Sequence, residues 1–573
     1  MSDFDLYSFQ LPVADIIPNV KSHFQSNNSL IVQAPPGAGK STLLPLALLQ
    51  ENWLKGKKIV MLEPRRLATK SIATRMASML GEEVGKTIGY RIRFESQVSD
   101  RTKLEVITEG ILTRMMHSDN ELKDVGLVIF DEFHERNLHS EVALALCREV
   151  QEVLRPDLKI LLMSATINSE ELSSLLNSKV IQSSGRQYPV DIHYLNPVDE
   201  YSIGEDTARA IIPLTKKHEG DFLVFLPGQG DIKKAESLLR KALPQDLILP
   251  LYGQLSPTEQ NRAIQPHAGG KRKIVLSTDI AETSLTIEGV KVVVDSGYAK
   301  SNRFDPRSGL SKLVLHRISA DSADQRSGRA GRLTAGTAYR LWSIATQNQL
   351  QEFRTPELME ADLTGLVLDM KVWGKDEIRD MTWLTPPPAG NLSLAEKTLE
   401  SLEALDHGQL TSHGKEIHQL PCHPRIAHLL LYAKKQNLLG FGTDIAAVLE
   451  ERDPLGPEAG VDLNLRIEAL RRFRSRGHSI PRKIEKVAAQ YRRMFQVEAE
   501  NGAVDPWQTG ILLAFAYPER IASARPGNNA QFQLANGKIA QIGHRDDLAH
   551  ESWIAVADID AREGMGKIWL AAP

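Results

Sequence analysis

Residues 30–42 have the sequence LIVQAPPGAGKST. A β-branched apolar run leads into a Gly-rich loop that closes in Lys-Ser-Thr, which predicts a strand, a tight loop and a helix beginning near Lys40. Backbone N–H groups and the helix N-terminus can then face phosphate oxygens. Lys40 would neutralise the β and γ phosphates, and the Ser41 hydroxyl would bind Mg²⁺. The predicted phosphate cradle consists of Gly37, Ala38, Gly39, Lys40, Ser41 and Thr42.

One residue departs from the usual phosphate-loop pattern, because Ala34 stands where the first glycine is expected. Taken alone, the loop could therefore be an ordinary Gly-rich turn between a strand and a helix. The rest of the chain decides between the two interpretations.

Short apolar runs alternate with amphipathic stretches on both sides of this loop, which predicts a parallel α/β sheet. A second series begins near Asp221, so the sequence predicts two α/β domains in tandem, with a linker near residues 185–189. Unusual motifs follow the strands directly, at the carboxyl edge where such sheets bind ligands. The predicted strands are residues 30–32, 59–62, 104–107, 127–130 and 160–163, then 222–226, 247–251, 274–277 and 292–295.

An acidic pair, Asp131 and Glu132, follows the predicted strand 127–130 and so reaches the same edge as Lys40. A hydrolase of this kind needs one carboxylate for the metal and another for the attacking water. Asp131 would hold Mg²⁺, and Glu132 would orient or deprotonate the water. The alternative, a solvated surface pair, is common for Asp-Glu, but here the pair follows a buried strand. The predicted metal set is Ser41, Asp131 and Glu132.

Residues 325–332, QRSGRAGR, place three arginines at three-residue spacing in the second α/β series, an arrangement suited to meet a polyphosphate. Arg329 and Arg332 are the predicted arginine fingers for charge that develops on the γ phosphate, a contribution of about 10³ to 10⁵ in rate. Gln325 could position the water. A solvated basic loop would leave the regular glycine spacing unexplained. The three motifs together indicate nucleotide hydrolysis that requires both domains.

The bulk composition limits the alternatives. The 573 residues are 42% hydrophobic and 25% charged with a net charge of −3, so a nucleic-acid surface would have to be local. The length suggests roughly three to five domains. Two cysteines provide no disulfide framework, and neither a leader nor a membrane span is recognised, which favours a reducing cytoplasm and no membrane partner.

Further motifs make the chain resemble the DEAH/RHA helicases of superfamily 2, and most closely their bacterial HrpB branch. The matches are residues 63–68 (EPRRLA), 89–95 (GYRIRFE), 108–110 (TEG), 164–166 (SAT) and 280–287 (IAETSLTI). Phe133 in the Asp-Glu-x-His motif resembles HrpB, as do residues 451–455 (ERDPL) and 514–520 (AFAYPER). The resemblance covers nearly the whole chain.

This resemblance implies an α/β fold of two RecA-like domains followed by smaller ones. The expected boundaries are 1–185 and 186–350 for the RecA-like domains, 351–422 for a winged helix, 423–505 for a helical ratchet-like domain and 506–573 for an OB-like β region. HrpB-type chains continue further, so the β region is expected to be truncated at its C-terminal side.

The resemblance also assigns residues. The ATP-site roles fall on the phosphate cradle, Asp131, Glu132, His134, Gln325, Arg329 and Arg332. The implied base sandwich is Arg75 with Tyr298, and stacking on a base face predicts weak discrimination among NTPs. The implied strand-contacting residues are Arg65, Arg66, Thr108 and Thr278, which would hold a phosphate backbone without reading sequence. Asp279 replaces the usual Asn, so it either points away from the strand or weakens the grip.

The predicted function is an ATP-dependent helicase or translocase that uses Mg²⁺ and moves along single-stranded nucleic acid, with RNA favoured over DNA and a 3′ to 5′ polarity implied by the family. One alternative is a ribonucleoprotein remodeler with little duplex unwinding. Another is an NTP-binding scaffold without turnover, against which the intact Glu132, Gln325, Arg329 and Arg332 argue.

Residues 466–493 are locally basic, with ten Lys or Arg residues and only two Glu. Either a solvated helix face or the wall of a single-strand channel would account for it.

Overall fold

The structure, a computed structural model, describes residues 6–165, 169–183, 188–267, 269–282, 287–305, 310–451, 453–476, 482–560 and 565–573. The chain forms two compact units. The first comprises Met1–Asn302, Leu313–Met359 and Arg379–Pro386, and the second comprises Arg303–Lys312, Glu360–Ile378 and Pro387–Pro573.

The first α/β domain is built on an eight-stranded sheet with strand order β4-β3-β5-β2-β6-β7-β1-β8. All neighbouring pairs are parallel except β3 with β4. Its central strands are buried on both faces, as their continuous apolar runs require. The strands are β1 Ser29–Gln33, β2 Lys58–Leu62, β3 Ile88–Ile92, β4 Glu95–Gln97, β5 Leu104–Ile107, β6 Val125–Phe130, β7 Lys159–Ser164 and β8 Lys179–Gln182.

The second α/β domain is built on a six-stranded, all-parallel sheet with strand order β11-β12-β10-β13-β16-β9. A separate two-stranded hairpin, β14 with β15, interrupts the series. The strands are β9 Val190–Tyr194, β10 Asp221–Phe225, β11 Leu247–Leu251, β12 Lys273–Ser277, β13 Val290–Asp295, β14 Tyr298–Asp305, β15 Leu310–Arg317 and β16 Gly336–Arg340.

Most helices of this first unit lie between its parallel strands. They are α1 Ile17–Ser26, α2 Leu43–Leu48, α3 Arg66–Met79, α4 Glu109–Ser118, α5 Leu138–Val153, α6 Ser169–Leu176, α7 Ile203–Leu214, α8 Gln229–Ala242, α9 Pro257–Ile264, α10 Ala320–Ser327 and α11 Ile344–Gln347. The short helix α12, Glu357–Glu360, ends the segment.

Both tandem sheets are confirmed, and every strand predicted from an apolar run is present. The sequence missed β3, β4, β8, β9, β14, β15 and β16. Of these, β4, β8 and β9 are edge strands, whose polar residues interrupt an apolar run. The expected helix start near Lys40 is wrong: residues 40–42 still belong to the loop, and α2 begins at Leu43. The expected linker lies largely outside the described residues.

The second unit combines helices with a closed five-stranded barrel. Its helices are α13 Thr364–Trp373, α14 Ala389–Ser401, α15 Ser412–Gln419, α16 Pro424–Lys435, α17 Leu439–Glu450, α18 Leu463–Arg476, α19 Arg482–Phe495 and α20 Pro506–Ala516. A two-residue pair, β17 Leu405–Asp406 and β18 Gln409–Leu410, precedes the barrel. The barrel strands are β19 Ile521–Arg525, β20 Asn528–Leu534, β21 Ile539–Gln541, β22 Trp553–Asp560 and β23 Gly566–Ala572.

The barrel agrees with the expected β region, whereas the division of the whole chain into five domains stays a prediction. Within the described ranges, no helix is both long and apolar enough to span a lipid bilayer.

Candidate nucleotide-hydrolysis site

The predicted phosphate cradle is a tight loop at the carboxyl end of β1. The Ala34 N–H donates to the carbonyl of Ser164 (3.0 Å), which fixes the start of the loop beside β7. Two features require glycine at position 39. Its φ is +91°, and a Cβ there would lie 2.8 Å from the Leu11 side chain. The Leu43 N–H donates to the Gly39 carbonyl (2.9 Å), so α2 grows directly out of the loop.

Lys40 and Glu132 meet in a buried ion pair, with Lys40 Nζ 2.8 Å from Glu132 Oε1. Burial alone would raise the pKa of Glu132, but the charge of Lys40, its hydrogen bond to the carboxylate and the charge of Arg329 lower that pKa to about 2. Glu132 is therefore an anion in this state. Its backbone is left-handed (φ +50°), a conformation that costs about 1–3 kcal/mol for a side-chain-bearing residue and is typical of functional sites.

Asp131 lies beside this pair and fits a metal-binding role. One carboxylate oxygen, Oδ1, accepts a hydrogen bond from the Glu132 N–H (2.9 Å), and the Ser41 side chain is a further hydrogen-bond partner of the carboxylate. The other oxygen, Oδ2, is buried with no hydrogen-bond partner among the described residues. Burial raises the pKa of Asp131 to about 6. An orphaned carboxylate oxygen beside a serine hydroxyl is a donor set that suits Mg²⁺.

His134 is buried two residues beyond Glu132. Its Nδ1 lies 3.4 Å from the backbone N–H of Ala165, which can donate to it when the ring is neutral. Burial lowers the pKa of His134, consistent with that neutral form. His134 thus ties the acidic motif to the SAT motif after β7, whose Thr166 lies outside the described residues.

The first arginine of the basic motif has a structural role. Arg326 is on α10, and its guanidinium donates from Nε to Glu282 (2.8 Å) and from NH1 to Asp295 (3.0 Å). All three side chains are buried. The idea that three equivalent arginines face a polyphosphate is therefore wrong for Arg326, because its donors are already engaged inside the second α/β domain.

Replacing Arg326 by Met should destabilise the second α/β domain by about 3–5 kcal/mol, because two buried carboxylates would lose their counter-charge. Urea unfolding should show a lower midpoint than that of the native chain. Arg209→Met, at an exposed arginine of the same domain, is the matched control and should leave the midpoint unchanged. Equal midpoints for Arg326→Met and the control would contradict this assignment.

The two predicted fingers lie in the electrostatic field of the acidic motif. The Arg329 Nε donates to the carbonyl of Glu282 (2.9 Å), and the side chain is buried. Burial lowers the pKa of Arg332 to about 10, and the charge of Glu132 partly opposes that shift. Arg329 in turn helps to keep the pKa of Glu132 low. Gln325 is buried on the same helix as Arg326.

The four predicted strand-contacting residues also lie at carboxyl ends of strands. Arg65 and Arg66 follow β2, Thr108 follows β5 and Thr278 follows β12. Arg66 is exposed, whereas Arg65 is half-buried and already makes contacts within the protein.

The two residues of the predicted base sandwich have different surroundings. Tyr298 is buried, its ring lies 4.0 Å from the Arg317 guanidinium, and its hydroxyl donates to Glu200 (3.2 Å). Arg75 is exposed on α3. The pairing of Arg75 with Tyr298 stays a prediction, and the sequence did not reveal that Arg317 covers one face of the ring.

Glu282, which is not among the predicted site residues, contacts several arginines of this region. Its carboxylate pairs with Arg326 and with Arg354, and its carbonyl accepts from Arg329. Arg354 also contributes to the lowered pKa of His134. Glu282 lies within the quoted IAETSLTI motif, but only the fold shows that it joins these arginines.

Part of the basic excess at residues 466–493 is internal to the second unit, whereas Arg472, Arg482, Lys483, Lys486 and Arg493 are exposed. Arg474 donates from NH1 to the fully buried Asp444 (2.9 Å), and Arg471 lies 3.5 Å from the same carboxylate. Arg466 pairs with Asp453 (2.7 Å). Neither a solvated face nor a channel wall describes these three residues, because their charges are used in packing.

Comparisons with known proteins agree with this geometry. A family model for the DEAD/DEAH box helicase matches residues 14–175, and one for the helicase conserved C-terminal domain matches residues 205–334. "ATP-dependent RNA helicase HrpB" of Escherichia coli (strain K12) is 40% identical over 547 residues, which are 95% of this chain and 65% of that protein. "Probable ATP-dependent RNA helicase DHR2" of Saccharomyces cerevisiae is 34% identical over 80% of this chain and 64% of its own length.

A solved structure, "Crystal structure of E. coli DExH-box NTPase HrpB", matches with a TM-score of 0.86 at 38% identity, covering 98% of this chain and 68% of that one. A second, "Crystal structure of Escherichia coli DEAH/RHA helicase HrpB", gives a TM-score of 0.88, again at 38% identity, over 98% of this chain and 70% of that one. The chain thus spans about two thirds of the length of its HrpB relatives. With two tandem RecA-like domains and the acidic, basic and phosphate-loop motifs at one site, the chain belongs to the DEAD/DEAH-box helicase family, in its HrpB branch.

Proposed function

We propose that this chain is an ATP-dependent RNA helicase or translocase. The observation that carries the proposal is the buried meeting of Lys40, Glu132 and Asp131 at the edge of the first sheet, within the field of Arg329 and Arg332 from the second α/β domain. A site that needs residues of two domains couples nucleotide turnover to their relative motion.

Mg²⁺, held by Asp131 and the Ser41 hydroxyl, would neutralise phosphate charge. Glu132 would take a proton from the attacking water, and Arg329 and Arg332 would stabilise the charge that develops on the transferred phosphoryl group. Transfer of Lys40 from Glu132 to a phosphate would remove the main charge that lowers the pKa of Glu132. The carboxylate would then become a stronger base at the moment when substrate is bound.

RNA is the favoured track because the relatives that match most of this chain are named RNA helicases. Arg66, Thr108 and Thr278, at the carboxyl edges of the two sheets, are suited to hold a phosphate backbone. The 3′ to 5′ polarity is proposed by family analogy. The two cysteines, Cys147 and Cys422, are both thiols, which is compatible with the proposed site of action in a reducing cytoplasm.

Base recognition by stacking predicts weak selectivity among nucleotides. The rates of hydrolysis of ATP, GTP, CTP and UTP should agree within roughly tenfold, because an aromatic ring and a guanidinium contact a base face and not its hydrogen-bonding edge. Steady-state phosphate release with each NTP measures this. An ATP rate more than about a hundred times the GTP rate would require a hydrogen-bond reader and contradict the stacking assignment.

Unwinding is tested with a duplex that carries a single-stranded RNA tail. Strand separation that needs ATP and a 3′ tail, and fails with a 5′ tail or blunt ends, is the expected result. RNA-stimulated hydrolysis without strand separation would favour the ribonucleoprotein remodeler. Nucleotide binding with no hydrolysis would favour the scaffold.

A further inference from the structure

Arg65 joins the two α/β domains. Its NH2 lies 3.1 Å from Glu135 Oε1, in the turn that contains His134. Its NH1 donates to the carbonyl of Ile280 (3.1 Å) and, at 3.4 Å, to that of Asp279, in the turn after β12 of the second domain. A single guanidinium therefore connects the acidic motif of the first domain to the strand-contacting edge of the second.

These contacts engage two of the three nitrogens of the Arg65 guanidinium, on a side chain that the family resemblance assigns to a nucleic-acid phosphate. The Arg65 side chain is only about a quarter exposed (24%). Burial would lower the pKa of Arg65, but the charges of Glu135 and Asp279 outweigh it and raise that pKa above its ordinary value. The carboxylates thus hold the guanidinium as a cation within the protein.

Asp279 also interacts with Arg65. Where the family usually has Asn, a carboxylate near a phosphate would repel it. Here the charge of Asp279 acts on Arg65, and the Asp279 carbonyl lies within reach of the same guanidinium. The substitution therefore strengthens the hold of the second domain on Arg65.

We propose that Arg65 is an exchangeable link: it holds the two α/β domains together through Glu135 and Ile280, and it must release both to bind an RNA phosphate. The inference rests on the proposed RNA-dependent function. An arginine presents its N–H groups in one planar fork, and a phosphate bound at the edge formed by NH1 and NH2 would compete for the nitrogens that now contact Ile280 and Glu135. RNA binding and the interdomain link therefore compete for one side chain.

The competition has a direct consequence for the ATP site. Glu135 follows Glu132 by three residues and shares its turn, so release of Arg65 changes the contacts of the element that positions the catalytic carboxylate. Arg65 is therefore a positioning residue: when RNA binds at the edge of β2, the contact of Arg65 with the acidic motif changes.

A double-mutant cycle measures the competition without any catalytic step. The dissociation constant of the nucleotide-free chain for a fluorescently labelled single-stranded oligouridylate is measured by anisotropy for the native chain, Glu135→Gln, Arg65→Ala and the double variant. Removing the Glu135 charge should tighten RNA binding by roughly threefold to tenfold, since it weakens a charge-assisted hydrogen bond that RNA must break. In the Arg65→Ala background the same change should have no effect.

Arg66→Ala is the matched control, because Arg66 is the adjacent, exposed arginine. Its effect on RNA affinity should be the same in the native chain and in the Glu135→Gln background. If Glu135→Gln tightens RNA binding equally in the native and Arg65→Ala backgrounds, the proposal is overturned, because the tightening is then a general effect of removing a negative charge. No tightening in the native background would overturn it as well.

Arg65→Lys provides a second variant in case Arg65→Ala folds poorly. Its ammonium is a point charge that cannot span the three acceptors in a fork, so Glu135→Gln should change its RNA affinity by less than about twofold. Tightening as large as in the native chain would count against the link. If the native chain binds no RNA at all, the proposed function fails. If it binds RNA and the effects of the Glu135 and Arg65 substitutions on RNA affinity are additive, only the proposed link between the domains is refuted.

Discussion

Glu132→Gln should lower the rate of ATP hydrolysis by about 10²- to 10⁴-fold while nucleotide binding is retained. The amide has nearly the same shape, but it cannot accept the proton of the attacking water. Because the variant also removes the charge that pairs with Lys40 in the buried site, Lys40 becomes available to phosphate, so ATP affinity should stay the same or rise. Single-turnover hydrolysis and binding of a fluorescent ATP analogue separate the two effects.

Glu152→Gln is the matched control, since Glu152 is an exposed glutamate of the same domain. It should retain native hydrolysis. A Glu132→Gln protein that hydrolyses ATP within a few-fold of the native rate would show that another group activates the water.

Arg332→Lys should lower kcat by about 10³-fold or more, because a finger acts on charge that develops in the transition state and a lysine cannot reproduce its planar contact. The fall in kcat should be matched by kcat/KM, with KM nearly unchanged, as expected for an interaction made only in the transition state. Arg332 is the more informative finger to test, since Arg329 also donates to the carbonyl of Glu282 inside its own domain.

Arg209→Lys, at an exposed arginine of the second α/β domain, is the control for this substitution. A large rise in KM with native kcat would instead assign Arg332 to ground-state nucleotide binding.

The strands and the order of the motifs could be predicted from sequence because each depends on a local pattern. The run LIVQAPPGAGKST contains both the buried strand and the loop that must follow it, and the strand before Asp131 is apolar throughout. The start of α2 could not be predicted, because the Gly39 carbonyl and the loop geometry set it, and helix propensity does not.

The partners of charged side chains could not be predicted, because they come from distant segments. Nothing in QRSGRAGR shows that Arg326 faces Glu282 and Asp295 while Arg332 lies in the field of the acidic motif. The basic residues around Arg474 looked like a surface because their counter-charge, Asp444, lies on another helix. The sequence shows how many cationic side chains a segment contains. Only the fold shows which of them are paired with a carboxylate.

We propose that one site, formed by residues of two domains, couples ATP turnover to movement along a nucleic-acid strand. Steady-state ATPase of the native chain and of Glu132→Gln, with and without single-stranded RNA and single-stranded DNA of equal length, tests it most directly. We expect RNA to stimulate turnover by the native chain, DNA to stimulate it less, and Glu132→Gln to abolish turnover under every condition. Turnover that neither polymer stimulates, or that survives Glu132→Gln, would contradict it.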